Sequence, residues 1–222
     1  MFAKKLLPPL VVLAYAALVR PRIRRWGATP DEVNGVYPGD DLIPEGVQST
    51  MAVTLSGPPE EVWRWLVQMG LDRAGWYSWD QLDNGGKPSA KHIIPEWQDI
   101  AVGDHLNSLP DGKAYFTVKI LEPERTLVLG SELTFGRTAA LEGLLPPVSS
   151  VGIWAFHLRP LPGERTRLVV RTRGQGHPRL LAWLLDFALG QPAHFIMQLR
   201  QFQNLNARVG RLQSIEPFQR VG

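Results

Sequence analysis

WRWLVQMGLDRAGWYSWDQLDNGGKPSAKHIIPEWQDIAVGD, residues 63–104, holds five of the eight tryptophans of the chain (63, 65, 76, 79 and 97), several carboxylates and a Gly-rich break between two apolar patterns. Aromatic rings are costly to leave in water, so this density in a non-repetitive stretch marks a core or a pocket wall. A pocket wall with few titratable groups points to binding before chemistry.

On its N-terminal side the alternation of Met51, Val53 and Leu55 with Ala52 and Thr54 predicts a strand over 50–56. Ser56 or Gly57 then caps a helix whose first turn carries Pro58, Pro59, Glu60 and Glu61, and which Gly70 ends. On the other side strands dominate. Residues 113–121, 125–131, 151–159 and 166–173 each put apolar side chains on one face. In the last of these, Leu168, Val170 and Thr172 oppose arginines 167, 171 and 173. The stretch 134–150 is a loop or short helix. A long helical region from 178 to about 214 closes the chain, interrupted at Gly190-Gln191-Pro192, with Phe195, Leu199, Phe202, Val209 and Leu212 near helical spacing.

This order describes an α+β domain: a curved antiparallel sheet whose apolar face is covered by the C-terminal helix. Space between them that side chains do not fill becomes a hydrophobic cavity. Three blocks, PPEEVWRWLVQMG at 58–70, GWYSWDQLDN at 75–84 and IIPEWQDIAVGD at 93–104, together resemble an uncharacterised bacterial branch of the SRPBCC superfamily. The RPRIRRWGAT run at 20–29, followed by PGD at 38–40, is similar to that branch as well. The resemblance covers roughly residues 20–213. It implies a START-like, polyketide cyclase/dehydrase-type helix-grip fold with a cavity, preceded by an N-terminal hydrophobic helix. It implies neither an activity nor a catalytic set, since that superfamily spans carriers, cyclases, hydroxylase subunits and chaperone cofactors.

The 222 residues suit one sizeable domain with an appendage, and 44% hydrophobic with 20% charged residues is ordinary globular composition. The absence of cysteine excludes disulfides, thiolate zinc sites and cysteine nucleophiles. The net charge of +3 is segmented: residues 1–25 carry six basic groups and no acid, whereas 26–48 carry five acids and no base. The basic excess therefore belongs to one end and argues against a nucleic-acid-binding body. Residues 26–48 read as an acidic linker, a solvated tether with one helical turn near 30–34. Residues 216–222 form a tail, which leaves 49–215 for the helix-grip domain.

LLPPLVVLAYAALV, residues 6–19, is uncharged. As a helix it would reach roughly 21 Å, short of the ~30 Å hydrocarbon core, with Lys4 and Lys5 placed to snorkel. Cleavage as a signal peptide, docking on the body and anchoring in the membrane compete. Anchoring leads, because the small-x-small site Ala14-Tyr15-Ala16 lies inside the apolar run. The heavier positive flank follows the run, which places the main domain in the cytoplasm, attached to the cell membrane.

No pair among His92, His105, His157, His177 and His194 has metal-ligand spacing, and no nucleotide loop or G-x-S-x-G motif occurs. The sequence therefore assigns no metal, no cofactor and no catalytic residue. Asp83 reads as a turn residue and Asp99 as a cap or a solvated loop acid, while Asp80 sits among rings. Trp76, Tyr77, Trp79 and Asp80 are the expected cavity entrance, with Tyr77 hydroxyl or an indole N–H orienting a polar ligand head. Phe116, Trp154, Phe156, Phe195, Leu199 and Phe202 are the expected walls, and His194 is placed to reach the cavity. The function expected is a membrane-associated carrier for a hydrophobic small molecule or lipid; the alternative is a cyclase- or dehydratase-like enzyme on an aromatic or polyketide-type substrate.

Overall fold

The computed structural model describes residues 12–109, 112–135 and 147–215. The first half of the N-terminal apolar run, most of the 134–150 loop and the tail lie outside the described residues. Residues 12–23 are helical, with a π-helical stretch at Tyr15–Val19 leading into α1 (Arg20–Ile23). Then come α2 (Pro30–Asn34), β1 (Val47–Leu55), α3 (Pro59–Val67), the short α4 (Asp80–Asp83), and β2 (His105–Asn107). β3 (Tyr115–Glu122), β4 (Thr126–Phe135), β5 (Val148–Leu161) and β6 (Arg165–His177) follow. The chain closes with α5 (Arg179–Leu185), a π-helical stretch at Asp186–Gly190, and α6 (Gln191–Ile215).

The strands form one curved, wholly antiparallel sheet in the order β1-β6-β5-β4-β3-β2. The predicted strands are present and mostly longer than their alternation suggested; β2 was not predicted. α3 begins one or two residues later than expected. Pro58 is its cap, and its carbonyl accepts from Glu61 and Val62 at 3.1 and 3.2 Å.

The helix does not break at Gly190-Gln191-Pro192. Proline removes one helical N–H, and its ring clashes with the carbonyl four residues back. A π turn relieves both, and here the Gln191 N–H bonds five residues back to Asp186 carbonyl. The same solution precedes Pro21, where Arg20 N–H bonds to Tyr15 carbonyl.

Directly paired residues share a face of the sheet, so the register sorts side chains without ambiguity. The inner face carries the rows Met51–Val170–Phe156–Leu127 and Ser49–Thr172–Trp154–Leu129–Val118. Onto these pack Trp65 and Leu66 of α3 and Phe202, Leu205 and Val209 of α6, forming the main core. Gly57 leaves α6 room to approach, since a Cβ there would strike the Val209 side chain.

The outer face carries Arg167, Arg171 and Arg173 as expected, but the acidic segment expected as a solvated tether is packed against them. Thr29 and Glu32 form a capping box at the start of α2. The Glu32 carboxylate is buried and accepts from Arg167 and Arg159 at 2.7 Å. Hydrogen bonding from Arg167 holds the Glu32 carboxyl down to about 2. Arg171, only 1% exposed, donates to Asp40 at 2.6 Å and to the carbonyls of Glu32, Val33 and Gly35, with its guanidinium 4.5 Å from the Tyr37 ring centroid. A buried guanidinium needs this many acceptors, because unpaired burial of charge is costly. The free edge of β1 is covered by the turn after α1: Thr50 and Ala52 N–H groups bond to Arg24 and Trp26 carbonyls.

Candidate functional site

Towards one end of the inner face the side chains shrink. The row Val47–Gly174–Gly152–Ser131 and the pair Gly176–Ser150 follow the aromatic rows. These positions face the helix, and glycine and serine cannot fill the gap. At Gly176 the missing side chain lets Ala182 of α5 come close, since a Cβ there would lie 2.6 Å from Ala182 Cβ. Over the rest of this end a cavity of about 620 Å³ remains. α5 and the π stretch roof it with Arg179, Ala182, Trp183 and Asp186, and α6 adds Gln191, His194 and Phe195. Ile23 and Arg24 of the α1 region close the side beside β1.

By surface the lining is mainly apolar, but charged side chains reach it too, Arg24, Glu45, Arg173 and Arg179 among them, and the roof adds a polar group. Gln191 Nε2 donates to Asp186 Oδ2 at 2.7 Å. Removal from water pushes the Asp186 carboxyl above its usual range. The same cause pushes His194 down to about 4, so its imidazole is neutral at pH 7. His194 sits edge-on to Trp154, ring centroids 6.4 Å apart.

The predicted site residues fall into three places. His194 and Phe195 line the cavity directly. Trp76, Phe116, Trp154 and Phe156 form one aromatic cluster with centroid separations of 4.9–5.6 Å, continuous with His194. Leu199 packs on the core beside them, and Phe202 is buried and stacked on Trp26. None of these six expected pocket residues lines the cavity itself: they belong to the packed core beside it, where large rings replace the glycines.

The expected entrance group is divided. Trp76 and Tyr77 turn inward, Tyr77 with a positive φ of 58°. Tyr77 hydroxyl accepts from Gln68 Nε2 at 2.9 Å, and burial pushes its phenol pKa up. Trp79 and Asp80 instead line a separate hollow of about 370 Å³ near Arg200 and Ser89. Asp80 Oδ1 accepts from Ser89 Oγ at 2.6 Å and from its N–H at 3.1 Å, which fixes the loop.

Sequence reasoning missed the floor glycines and serines and the roof residues Asp186 and Gln191. It also missed a polar chain beneath the aromatic cluster. Trp154 Nε1 donates to Gln198, Gln198 donates to Gln201, and Gln201 donates to Trp76 carbonyl, at 3.2, 2.7 and 2.9 Å. The spacing of Gly174 and Gly176 on an inward register was the available signal. Asp186 carried none, since an isolated acid in an apolar run has no direction until the helix is docked.

The fold is thus α+β, an antiparallel sheet covered by a long C-terminal helix, with a cavity at one end of their interface. No family model matches the chain, and no curated protein matches it. Among solved structures it is similar to MLL2253 from Mesorhizobium loti, with 23% identity over 73% of this chain and 97% of that one, at a TM-score of 0.41. It is also similar to CV1439 from Chromobacterium violaceum (18% identity, 73% and 96% covered, TM-score 0.42). A solution structure from Arthrobacter aurescens gives 13% identity, 81% and 92% covered, and a TM-score of 0.41. Likeness at this level carries no inference about activity or ligand.

Proposed function

We propose that this protein is a membrane-associated, helix-grip carrier of the SRPBCC type, which holds a hydrophobic small molecule or lipid between sheet and C-terminal helix. The N-terminal apolar segment anchors it, with the main domain in the cytoplasm. The observation that carries the reading is the cavity, whose 620 Å³ falls inside the roughly 300–1,000 Å³ range of small-molecule sites. Its walls are mostly apolar, so each Å² of ligand surface removed from water contributes about 25 cal/mol before ordering costs. The Asp186–Gln191 pair and His194, with Arg24, Glu45, Arg173 and Arg179 elsewhere in the lining, supply polar groups that orient a ligand in such a site.

Native mass spectrometry of the full-length protein, gently extracted from its host membrane, tests this directly. A hydrophobic compound released only on unfolding supports the carrier. The Gly174→Leu variant, which places a side chain on the cavity floor, should lose that compound while keeping its fold. An empty wild-type protein that also leaves apolar dyes unbound would overturn the reading. A cyclase- or dehydratase-like enzyme is the second reading, favoured by two titratable groups in one cavity wall, Asp186 and His194, with their pKa values moved in opposite directions. Conversion of the captured compound that disappears in Asp186→Asn would favour it.

A further inference from the structure

The helix Arg179–Gly210 is long and apolar enough to cross a membrane by length and composition. Its second half is committed to the core through Phe202, Leu205 and Val209, so crossing would strip the sheet of its cover. The first half is different. Leu180 is 71% exposed and Leu189 66%, with Trp183, Leu184 and Leu185 exposed beside them. Alongside runs the N-terminal helical stretch, whose Leu13 and Leu18 are also exposed. The two are joined by a ladder of rings: Trp183 stacks on Phe187, Phe187 meets Tyr15 edge-on at 5.0 Å, and Tyr15 hydroxyl donates to Phe187 carbonyl. Contiguous exposed apolar surface with an aromatic at its margin marks an interaction site.

Charge identifies the partner. Arg20, Arg22, Arg24 and Arg25 follow the apolar N-terminal stretch, and no acid occurs before Asp31. Arg20 lies over the Phe187 ring at 5.4 Å, which places this basic group at the edge of the patch. Among the described residues of the first helical half the one acid is Asp186, turned into the cavity and held by Gln191. An apolar face with Trp at its margin and a mainly basic border, where Glu45 is paired with Arg179 at 3.0 Å, fits the headgroup layer of an anionic bilayer.

We propose that α5 and the adjoining π stretch, with the neighbouring N-terminal helical residues, dock into the interfacial layer of an anionic membrane through Leu180, Trp183, Leu184 and Leu189. Trp183 both lines the cavity and is exposed, so the docked face is also a wall of the cavity. This gives the proposed carrier a route for ligand entry that avoids water.

The chain has no cysteine, so a single introduced one can be labelled uniquely. The full-length L184C protein, carrying an environment-sensitive nitrobenzoxadiazole label, is mixed with phosphatidylcholine vesicles containing a quarter phosphatidylglycerol. The K87C protein, labelled on an exposed turn, is the control. Docking predicts a several-fold, blue-shifted rise in emission at 184, quenching by chain-labelled lipids, a weaker response in pure phosphatidylcholine, and no response at 87. A label at 184 that stays in water on vesicles carrying the protein overturns the proposal. So does protein that fails to bind, equal response in both vesicle types, or a response at 87. A label already dry before vesicles are added would show that another copy or residues 1–11 cover the face, and overturns it too. Cavity occupancy does not enter: labelled L184C protein that also carries Gly174→Leu should dock unchanged, which separates failure here from failure of the carrier reading.

Discussion

On the outer face of the sheet every charged group brought out of water meets a partner, whereas the inner face is packed at one end and left open at the other. Outside, Arg171 and Arg167 are held by Asp40 and Glu32 from a segment more than 120 residues earlier in the chain. Inside, Trp154, Phe156 and Leu129 fill the interface, and one or two positions further along Gly152, Gly174 and Ser131 do not. A protein selected only for stability would fill both. The difference teaches that the outer face fixes the sheet's position on its own N-terminal segment, and so leaves the inner face free to keep a space.

The largest effect should come from breaking the outer face. Asp40→Ala removes the carboxylate partner of a guanidinium that is 1% exposed and should cost about 4 kcal/mol in urea unfolding. A loss under about 1 kcal/mol would mean that the backbone carbonyls around Arg171 suffice alone.

Along β4 the two ends of the inner face can be compared on one strand. Leu129→Ala, in the filled row, should cost about 3 kcal/mol, whereas Ser131→Ala, two residues on, should stay within about 0.5 kcal/mol. Equal costs would remove the distinction between a packed and an open end.

Acid should weaken the outer face in two stages. His157, buried against Tyr37, has its pKa lowered to about 4 by burial, so the fold keeps it neutral. Its contribution is complete above its ordinary value of 6.5 and is lost as pH falls from there towards 4. Glu32 follows lower down, its contribution being lost as pH falls from 4.5 to about 2. Melting temperatures across this range should show the upper stage vanish in His157→Phe and the lower in Glu32→Gln. At the other extreme, the raised Tyr77 phenol pKa predicts loss of stability as pH rises above its ordinary value of 10.

A small stability change again belongs to the open end. At Gly174 an added Cβ would meet only Val151 carbonyl at 3.5 Å, an ordinary contact. Gly174→Leu should therefore shift stability by less than about 1 kcal/mol while abolishing uptake of an apolar dye. Strong destabilisation would show that the floor glycines are required for folding, and not only for space.

Much of the sheet was legible because its period-two alternation is local. Leu168, Val170 and Thr172 face inward and the arginines 167, 171 and 173 outward, as their order requires. The partnership of those arginines was not legible: Glu32 and Asp40 are acids in a Gly- and Pro-rich stretch, and nothing local distinguishes a tether from a packed layer. Tyr77 failed differently. Its neighbours made it an aromatic among aromatics, but its positive φ turns the ring into the core, where Gln68 takes its hydroxyl.

What the sequence determined by itself is what short-range physics controls: most of the strands, the main helices and the inward aromatic rows. Only the tertiary structure decided where the chain leaves space. A cavity floor depends on strand register, because Gly152 matters only when it lies beside Gly174 and Ser131. Its roof depends on how α5 passes over that row. Those are pairings between distant residues, and a single chain read in order contains them only as possibilities.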